Sequence, residues 1–455
     1  MSVRIIHAHV LDGLAQIEDE SVHMVVTSPP YYGLRSYGTE PQVWGGDPAC
    51  EHVWEPNRIV LGDHNWRSAE WKTGGLPDVE LKDTARLASQ GGFCRCGAWR
   101  GDLGLEPTVE LYLAHMVEVF AEVKRVLRKD GTLWLNIGDS YATASGAGQA
   151  KPRDRDLPNA PAGWSNRNAP TVIRTVGGTA KPKDLLMIPA QLALALRADG
   201  WWLRSEIVWA KKAPMPESCT DRPTCAHEKV FLLTKSARYF YDAEAVKEEA
   251  EYGENRATYA GGNDRIRQAN ICSGGATNSD KGVTRPKVSM RNVWHLGPEP
   301  FPEAHFATFV SEIPRRAILA GTSAKGVCPK CGAPWCRVVE TSGRPVDYQK
   351  IPGTHATRAE DGQGMRMADR WVTSTQTIGW RASCSCYSRS DDWSKMAPPI
   401  PATVLDPFLG SGTTALVADQ LGRHCIGIEL TLAYAAMSER RLRDDAGMFL
   451  ELAAE

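Results

Sequence analysis

Short β-rich runs and amphipathic helical segments alternate along the chain. After Thr108, apolar residues recur at helical spacing, and this pattern predicts a helix that ends at Asp130-Gly131. The run TLWLNI at 132–137 follows as a buried strand, and a second helix is predicted over 184–198. Repeated strand and helix signals of this kind predict an α/β fold, with a mostly parallel, doubly wound sheet covered by helices on both faces.

The overall charge is balanced. The 455 residues include 53 Lys and Arg against 54 Asp and Glu, a formal net charge of −1. This balance argues against a uniformly basic surface that coats nucleic acid, but it permits a local basic face. No segment approaches the roughly 20 apolar residues of a membrane helix, and no signal peptide is evident at the start. We therefore expect a cytoplasmic protein without membrane contact.

A Gly-rich segment, DPFLGSGTT at 406–414, lies between a predicted strand and a predicted helix. Gly410 and Gly412 allow the backbone to approach a ligand closely at the carboxyl edge of the sheet. The segment lacks the third Gly of GxGxxG and the Lys of a phosphate loop, which argues against a dinucleotide or a triphosphate. The next strand ends in IGIEL, where Glu429 can accept both hydroxyls of a ribose. These features predict a ligand that carries a ribose without phosphates.

These residues resemble a known family. DPFLGSGTT followed by IGIEL resembles the S-adenosylmethionine site of amino-group DNA methyltransferases, and TSPPYY at 27–32 resembles the catalytic motif (Asp/Asn/Ser)-Pro-Pro-(Tyr/Phe/Trp) of the same family. Because the catalytic motif precedes the cofactor motif, the permuted order resembles that of the β class. The resemblance implies a Rossmann-like three-layer methyltransferase fold that acts on double-stranded DNA in a bacterial or phage context. It leaves open both a cognate restriction endonuclease and the oligomeric state.

The resemblance also assigns residue roles. It implies that the catalytic residues are Ser28, Pro29, Pro30 and Tyr31. An exocyclic amino group is a poor nucleophile because its lone pair is delocalised, so a hydroxyl and a carbonyl that accept its hydrogens can draw them out of plane. Tyr31 would stack on the extruded base. The implied cofactor contacts are Asp406, Pro407, Phe408, Gly410, Gly412, Thr413 and Glu429, with Thr308 and Phe309 from the segment HFATF at 305–309. His227-Glu228-Lys229 would belong to the wall of the base pocket.

The target base depends on the residue before Pro-Pro. Family members with Ser at this position mostly act on cytosine N4, whereas those with Asp or Asn mostly act on adenine N6. Ser28 therefore favours cytosine N4, and adenine N6 is the alternative. A second alternative is a zinc-bearing DNA-binding protein with an inactive methyltransferase core. RNA or protein substrates also stay open.

Two groups of cysteines have the composition of zinc sites. Cys328 and Cys331 form a CxxCG knuckle, to which Cys384 and Cys386 return after an insertion. The other group combines Cys50 and His52 with Cys94 and Cys96. We predict up to two structural zinc ions, because all four ligands of each site would come from protein.

Polar insertions interrupt the strand and helix alternation and suggest four regions. We predict a catalytic half at 1–39 and 107–321, an insertion with a zinc site at 40–106, a zinc-ribbon-like insertion at 322–397, and a half that binds S-adenosylmethionine at 398–455. Within the catalytic half, the segments 143–183 and 250–292 carry more basic than acidic residues. Flexible basic segments suit contacts with DNA phosphates, so we expect both of them to face the duplex.

Overall fold

The computed structural model describes residues 2–33, 39–56, 92–142, 180–181, 183–214, 216–249, 287–299, 309–345, 371–387, 397–446 and 451–452. Most of the two basic segments predicted to face DNA lies outside the described residues, as does Thr308. The chain divides into two compact units. The first comprises Met1–Phe240, Asn292–Ala324 and Pro401–Glu455, and the second comprises Tyr241–Arg291 and Lys325–Ile400.

The strands, in chain order, are β1 (Ser2–His7), β2 (Val22–Thr27), β3 (Gln42–Trp44), β4 (Glu55–Pro56), β5 (Gly92–Phe93), β6 (Trp99–Gly101), β7 (Leu127–Ile137), β8 (Trp202–Lys211), β9 (His227–Thr234), β10 (Glu248–Glu249), β11 (Lys287–Val288), β12 (Val293–Leu296), β13 (Trp335–Pro345), β14 (Trp371–Ala382), β15 (Thr403–Asp406), β16 (His424–Glu429) and β17 (Glu451–Leu452). The helices are α1 (Val10–Ala15), α2 (Val109–Val126), α3 (Ile188–Ala198), α4 (Glu312–Gly321), α5 (Thr413–Gln420) and α6 (Leu432–Ala446).

The first unit is built on a nine-stranded sheet in the order β12-β8-β9-β7-β2-β15-β16-β1-β17. Strand β9 pairs antiparallel with both β7 and β8, and the other pairings in the sheet are parallel. The predicted mostly parallel α/β sheet is therefore confirmed. Strands β15 and β16 lie between β1 and β2, which are consecutive in the chain.

Two groups of helices cover this sheet. Val25 of β2 belongs to the core cluster that includes side chains of α1, α2 and α3. Its neighbour Met24 instead lies beside Gly321 of α4, where an added Cβ would come within 3.3 Å of the Met24 side chain. Because successive side chains of a strand point to opposite faces, the two helix groups cover opposite faces of the sheet. This arrangement is the three-layer architecture that the sequence predicts.

Two helix boundaries differ from the prediction. Thr108 does cap α2, since its hydroxyl oxygen accepts a hydrogen bond from the Leu111 amide at 3.2 Å. The helix nevertheless ends at Val126, and Asp130-Gly131 lies within β7, because the buried Leu127 already pairs with β2. Helix α3 begins at Ile188, not at 184, because Met187 has a left-handed conformation with φ +55°.

Smaller sheets form from the inserted segments. In the first unit, β3, β6, β5 and β4 form a four-stranded antiparallel sheet. In the second unit, β13 and β14 form a long antiparallel hairpin, and β10 pairs with β11. None of the helices in the described ranges is long and apolar enough to cross a membrane.

Candidate active site

A cavity of about 770 Å³ lies at the carboxyl edge of the nine-stranded sheet. It is lined by Ser28–Tyr31 after β2, by Asp406 at the end of β15 with Pro407–Ser411 after it, and by Glu429 at the end of β16. Because β2, β15 and β16 are parallel neighbours, their carboxyl ends meet at one edge, which is where α/β sheets bind ligands. The structure thus joins two motifs whose strands end 379 residues apart, at Thr27 and Asp406.

Hydrogen bonds to backbone atoms hold the loop at 28–33, which carries the SPPYY part of the TSPPYY motif. The Tyr112 hydroxyl in α2 donates to the Pro30 carbonyl at 2.9 Å, and the Gly33 amide donates to the Gly104 carbonyl at 2.6 Å. Gly104 has φ +90°, and a Cβ added there would lie 2.9 Å from the Tyr31 carbonyl oxygen. Both its conformation and the available space therefore require glycine at position 104.

A polar network surrounds the Ser28 hydroxyl. The Tyr31 hydroxyl lies 3.2 Å from Ser28 Oγ and donates to Glu228 Oε2 at 2.6 Å. The Asn136 amide group donates to Ser28 Oγ at 3.3 Å, to Tyr31 Oη at 2.5 Å and to Glu228 Oε2 at 3.0 Å. The other Glu228 oxygen pairs with Lys211 Nζ at 2.6 Å. Tyr31 and Asn136, the two partners of Ser28 Oγ, are thus held by a carboxylate whose two oxygens are both engaged.

The Tyr31 ring packs closely against the backbone of Gly138. A Cβ added at Gly138 would lie 2.7 Å from Tyr31 Cε2, so only glycine allows this approach. Burial, reinforced by the adjacent Glu228 carboxylate, raises the pKa of Tyr31 well above its ordinary value. The phenol therefore stays protonated at neutral pH and keeps donating to Glu228.

Sequence reasoning missed Asn136 and Lys211 as site residues, although both line the cavity. Asn136 is 2% exposed, and its Oδ1 has no hydrogen-bond partner among the described residues. The signal that would have identified it is a polar Asn at the carboxyl end of the apolar run TLWLNI, because buried polar groups are usually paired. Lys211 carried no such signal. Glu228, expected in the wall of the base pocket, lies in the cavity wall.

Asp406 connects the two loops that line the cavity. Its Oδ1 accepts from the Thr27 hydroxyl at 2.7 Å and from the Phe408 amide at 3.1 Å. Its Oδ2 accepts from the Thr414 hydroxyl at 2.6 Å. The end of β2, the loop after β15 and the start of α5 therefore share one buried carboxyl group.

The loop at 406–414, which we call the cofactor loop after its predicted role, contains two glycines with positive φ. Gly410 has φ +56°, and a Cβ added there would meet only the Phe408 carbonyl oxygen, at 4.0 Å. Gly412 has φ +79°, and its added Cβ would lie 2.8 Å from Ser438 Cβ. Glu429 Oε2 accepts from the Gly410 amide at 2.8 Å, so the acidic strand end also fixes the loop.

The predicted cofactor residues do not all face the cavity. Pro407, Phe408 and Gly410 line it, and so does Phe309 before α4. Within the described part of the chain, Gly412 and Thr413 are not lining residues. Thr413 is 2% exposed, and its hydroxyl accepts from Arg441 at 2.8 Å. Its hydroxyl therefore ties the start of α5 to α6.

Burial makes Asp406 sensitive to pH. It raises the pKa of this carboxyl from 3.8 to about 6, against the opposing effect of its hydrogen bonds. Because the folded-state pKa is the higher one, the contribution of Asp406 to stability is full below about pH 4 and is lost as pH rises through about 6. We expect Asp406→Asn to reduce the fall in thermal midpoint between pH 4 and pH 7. Melting curves across this range would measure the change.

The matched control for this experiment is Asp445→Asn, at an exposed position of α6. It should follow the wild-type pH dependence. Burial also raises the pKa values of Glu106 and Glu429, which remain in the variant, so the slope should shrink but not vanish. Equal slopes in Asp406→Asn and wild type would contradict the assignment.

The structure brings both predicted sets of metal ligands together. Within each set, the four ligand atoms lie within 4.8 Å of one another: Cys50, His52, Cys94 and Cys96 in the first unit, and Cys328, Cys331, Cys384 and Cys386 in the second. Cys50 Sγ lies 3.7 Å from Cys94 Sγ, and Cys96 Sγ lies 3.4 Å from His52 Nδ1. Sulfurs bound at about 2.3 Å to one tetrahedral zinc ion are about 3.8 Å apart, so this spacing fits zinc.

Comparison with known proteins identifies the family. A family model described as DNA methylase, of the N6 and N4 type, matches residues 22–328 and 395–440. Type II methyltransferase M.Cfr9I of Citrobacter freundii is 30% identical over 444 residues, which is 98% of this chain and 89% of that protein. Type II methyltransferase M.SmaI of Serratia marcescens is 28% identical over 441 residues, which is 97% of this chain and 91% of that protein. The chain therefore belongs to the DNA methylase family whose members modify amino nitrogens.

Proposed function

We propose that the protein transfers a methyl group from S-adenosylmethionine to the exocyclic amino nitrogen of a base extruded from double-stranded DNA, and that this nitrogen is N4 of cytosine. The observation that carries the proposal is the single cavity that joins the TSPPYY loop to the DPFLGSGTT loop. A base and a nucleoside-containing cofactor can meet there without any movement of the sheet.

The residues around the cofactor loop fit S-adenosylmethionine. Gly410 offers open backbone, and Glu429 lines the cavity with each oxygen accepting one backbone amide, from Gly410 and from Thr431. A carboxylate oxygen can accept a second hydrogen bond, so Glu429 can also hold ribose hydroxyls. His9 after β1 lines the same cavity, and its Nε2 is buried with no partner among the described residues. When bound, S-adenosylmethionine supplies an electrophilic methyl group.

On the base side, Ser28 and the Pro29 carbonyl would accept the hydrogens of the target amino group. The Asn136 amide donates a hydrogen bond to Ser28 Oγ at 3.3 Å, which orients the hydroxyl to accept a hydrogen of the amino group. Tyr31 and Asn136 are themselves held by Glu228, so the acceptors are positioned before substrate arrives. Such preorganisation avoids reorganisation of the site during the reaction.

The choice of cytosine rests on Ser28, which offers a neutral hydroxyl where an adenine-specific relative more often has Asp or Asn. We expect DNA methylated by the purified protein to yield N4-methylcytosine when its nucleosides are separated by mass spectrometry. N6-methyladenine without N4-methylcytosine would overturn the choice of base but not the transfer to an amino group. Transfer of labelled methyl to RNA or protein but not to DNA would overturn the proposal as a whole.

We further propose structural zinc at both cysteine clusters. Cys328 and Cys331 lie in a turn that is closed by Gly332, which has φ +69°. The Gly332 amide donates a hydrogen bond to the Cys328 carbonyl at 2.8 Å. Such a turn presents two thiolates to one ion, and Cys384 and Cys386 complete the set. Four protein ligands leave no open position for substrate, which suits a structural role. Metal analysis of the purified protein should find two zinc ions per chain, whereas metal-free protein would contradict both sites.

A further inference from the structure

The four-stranded inserted sheet of the first unit contacts the loop at 28–33, the proposed catalytic loop, through residues 99–106. We call residues 99–106 the support arm. The arm begins in β6, three residues after Cys96. Its residues Asp102 and Leu103 line the same cavity as Ser28 and Tyr31. The arm therefore joins one cysteine cluster to the proposed catalytic loop through a short stretch of chain.

Aromatic stacking fixes the start of the support arm. Trp99 of the arm and Trp44 of β3 lie on the ring of His115 in α2, with ring centroids 5.4 and 5.1 Å apart and interplanar angles of 23° in both cases. All three side chains are buried. The Trp44 indole also donates to the Gly101 carbonyl at 3.1 Å. The inserted sheet is thus attached to α2 through His115.

A buried carboxyl group fixes the end of the support arm. Glu106 Oε1 lies 2.9 Å from His115 Nδ1, and Glu106 Oε2 accepts from the Gly104 amide at 2.7 Å. Gly104 in turn accepts from the Gly33 amide and packs against the Tyr31 backbone. An unbroken series of contacts therefore runs from His115 through Glu106 and Gly104 to the catalytic loop.

The sheet from which the arm extends has little stability of its own. Its strands are only two or three residues long, so they form few ladder hydrogen bonds. Cys50 and His52 lie between β3 and β4, and Cys94 and Cys96 lie between β5 and β6. A metal ion bound by all four side chains would join the connection between β3 and β4 to the turn between β5 and β6.

The geometry points to a second role for this metal site: zinc held by Cys50, His52, Cys94 and Cys96 positions the catalytic loop through the support arm. The inference rests on the proposed methyl transfer at Ser28 and Tyr31. The four ligands are positioning residues, since none of them lines the cavity in the described chain. Loss of this zinc should therefore lower kcat while leaving affinity for S-adenosylmethionine nearly unchanged. The contacts of the arm lead to the loop at 28–33, whereas Gly410 and Glu429, which are proposed to hold the cofactor, are bonded to each other.

The test compares His52→Ala, His52→Cys and the matched control Cys219→Ser in the full-length zinc-loaded protein. His52→Ala should lose one zinc per chain and lower kcat on DNA on the order of 100-fold, since small displacements of reacting groups have effects of this size. Its Kd for S-adenosylmethionine should change less than about threefold, a range that corresponds to well under 1 kcal/mol. His52→Cys should keep the zinc and recover most of kcat, and Cys219→Ser should match wild type.

A second variant tests the other end of the arm. Gly104→Ala should keep both zinc ions yet lower kcat, because its Cβ would press on the Tyr31 carbonyl oxygen. Hydrogen exchange of the peptide over 28–33 should become faster in His52→Ala, a readout that does not need enzymatic activity. Wild-type kcat in zinc-depleted His52→Ala or in Gly104→Ala would overturn the inference, as would unchanged exchange over 28–33. An inactive wild-type protein with faster exchange in His52→Ala would instead overturn only the proposed function.

Discussion

The double variant Ser28→Ala/Tyr31→Ala should lose methyl transfer while it keeps S-adenosylmethionine. Removal of one preorganised polar group from an active site typically lowers kcat by about 100- to 1000-fold. Loss of aromatic stacking removes a further ~1–3 kcal/mol per base. Glu228 and Asn136 would also lose a shared partner, because both hydrogen-bond to Tyr31. Transfer of labelled methyl to duplex DNA, measured beside equilibrium binding of S-adenosylmethionine, would record both effects.

The control for this variant is Ser21→Ala/Tyr239→Ala, which removes the same atoms outside the cavity. Ser21 donates only to the Glu18 carbonyl in the contacts observed, and Tyr239 accepts from Arg204 at the surface. This control should methylate DNA at the wild-type rate. Unchanged methylation by the Ser28→Ala/Tyr31→Ala variant would reject the assignment of these residues to catalysis.

Glu429→Ala should have the largest effect on cofactor binding. The substitution removes the proposed acceptor for the ribose and leaves the amides of Gly410 and Thr431 without their carboxylate. A hydrogen bond to a charged group contributes about 1.5–3 kcal/mol, so we expect the Kd for S-adenosylmethionine to rise about 100-fold. Titration calorimetry would measure this rise directly.

Two further variants separate cofactor binding from folding. Glu429→Gln keeps one acceptor oxygen and should weaken binding less than Glu429→Ala. Glu439→Ala removes a carboxylate from the surface of α6, where it pairs only with Arg443 in the contacts observed, and should bind as wild type does. Wild-type affinity in Glu429→Ala would mean that the ribose lies elsewhere in the cavity.

The sequence predicts the elements at the centre of the fold well because each has a strong local signal. Apolar runs predict β2, β7 and β15, and each motif follows directly after a strand end. Helix boundaries are harder to predict because tertiary pairing competes with local propensity. Leu127 could extend α2 on its own pattern, but it becomes buried in β7. The left-handed Met187 before α3 has no signature in its neighbours either.

The residues of the candidate site also differ in how well the sequence predicts them. Ser28, Asp406 and Glu429 stand in contiguous motifs, so their chemistry is readable from neighbouring residues. Asn136 and Lys211 enter the cavity only because β7 and β8 both pair with β9, and pairings between distant strands leave no local pattern. The spacing of Cys94 and Cys96 suggests that they bind metal. The contact between the support arm and Tyr31 joins distant segments, so the sequence gives no sign of it.

The strand order also has a consequence for how the enzyme matures on the ribosome. Strands β15 and β16 lie between β1 and β2, so the centre of the sheet stays incomplete until these late strands have been synthesised. Until then Thr27 lacks Asp406, and the TSPPYY loop has no neighbouring cofactor loop. Contacts between such distant segments form slowly during folding. We therefore expect a nascent chain that already carries the proposed catalytic motif to lack methyltransferase activity until β15 and β16 have joined the sheet.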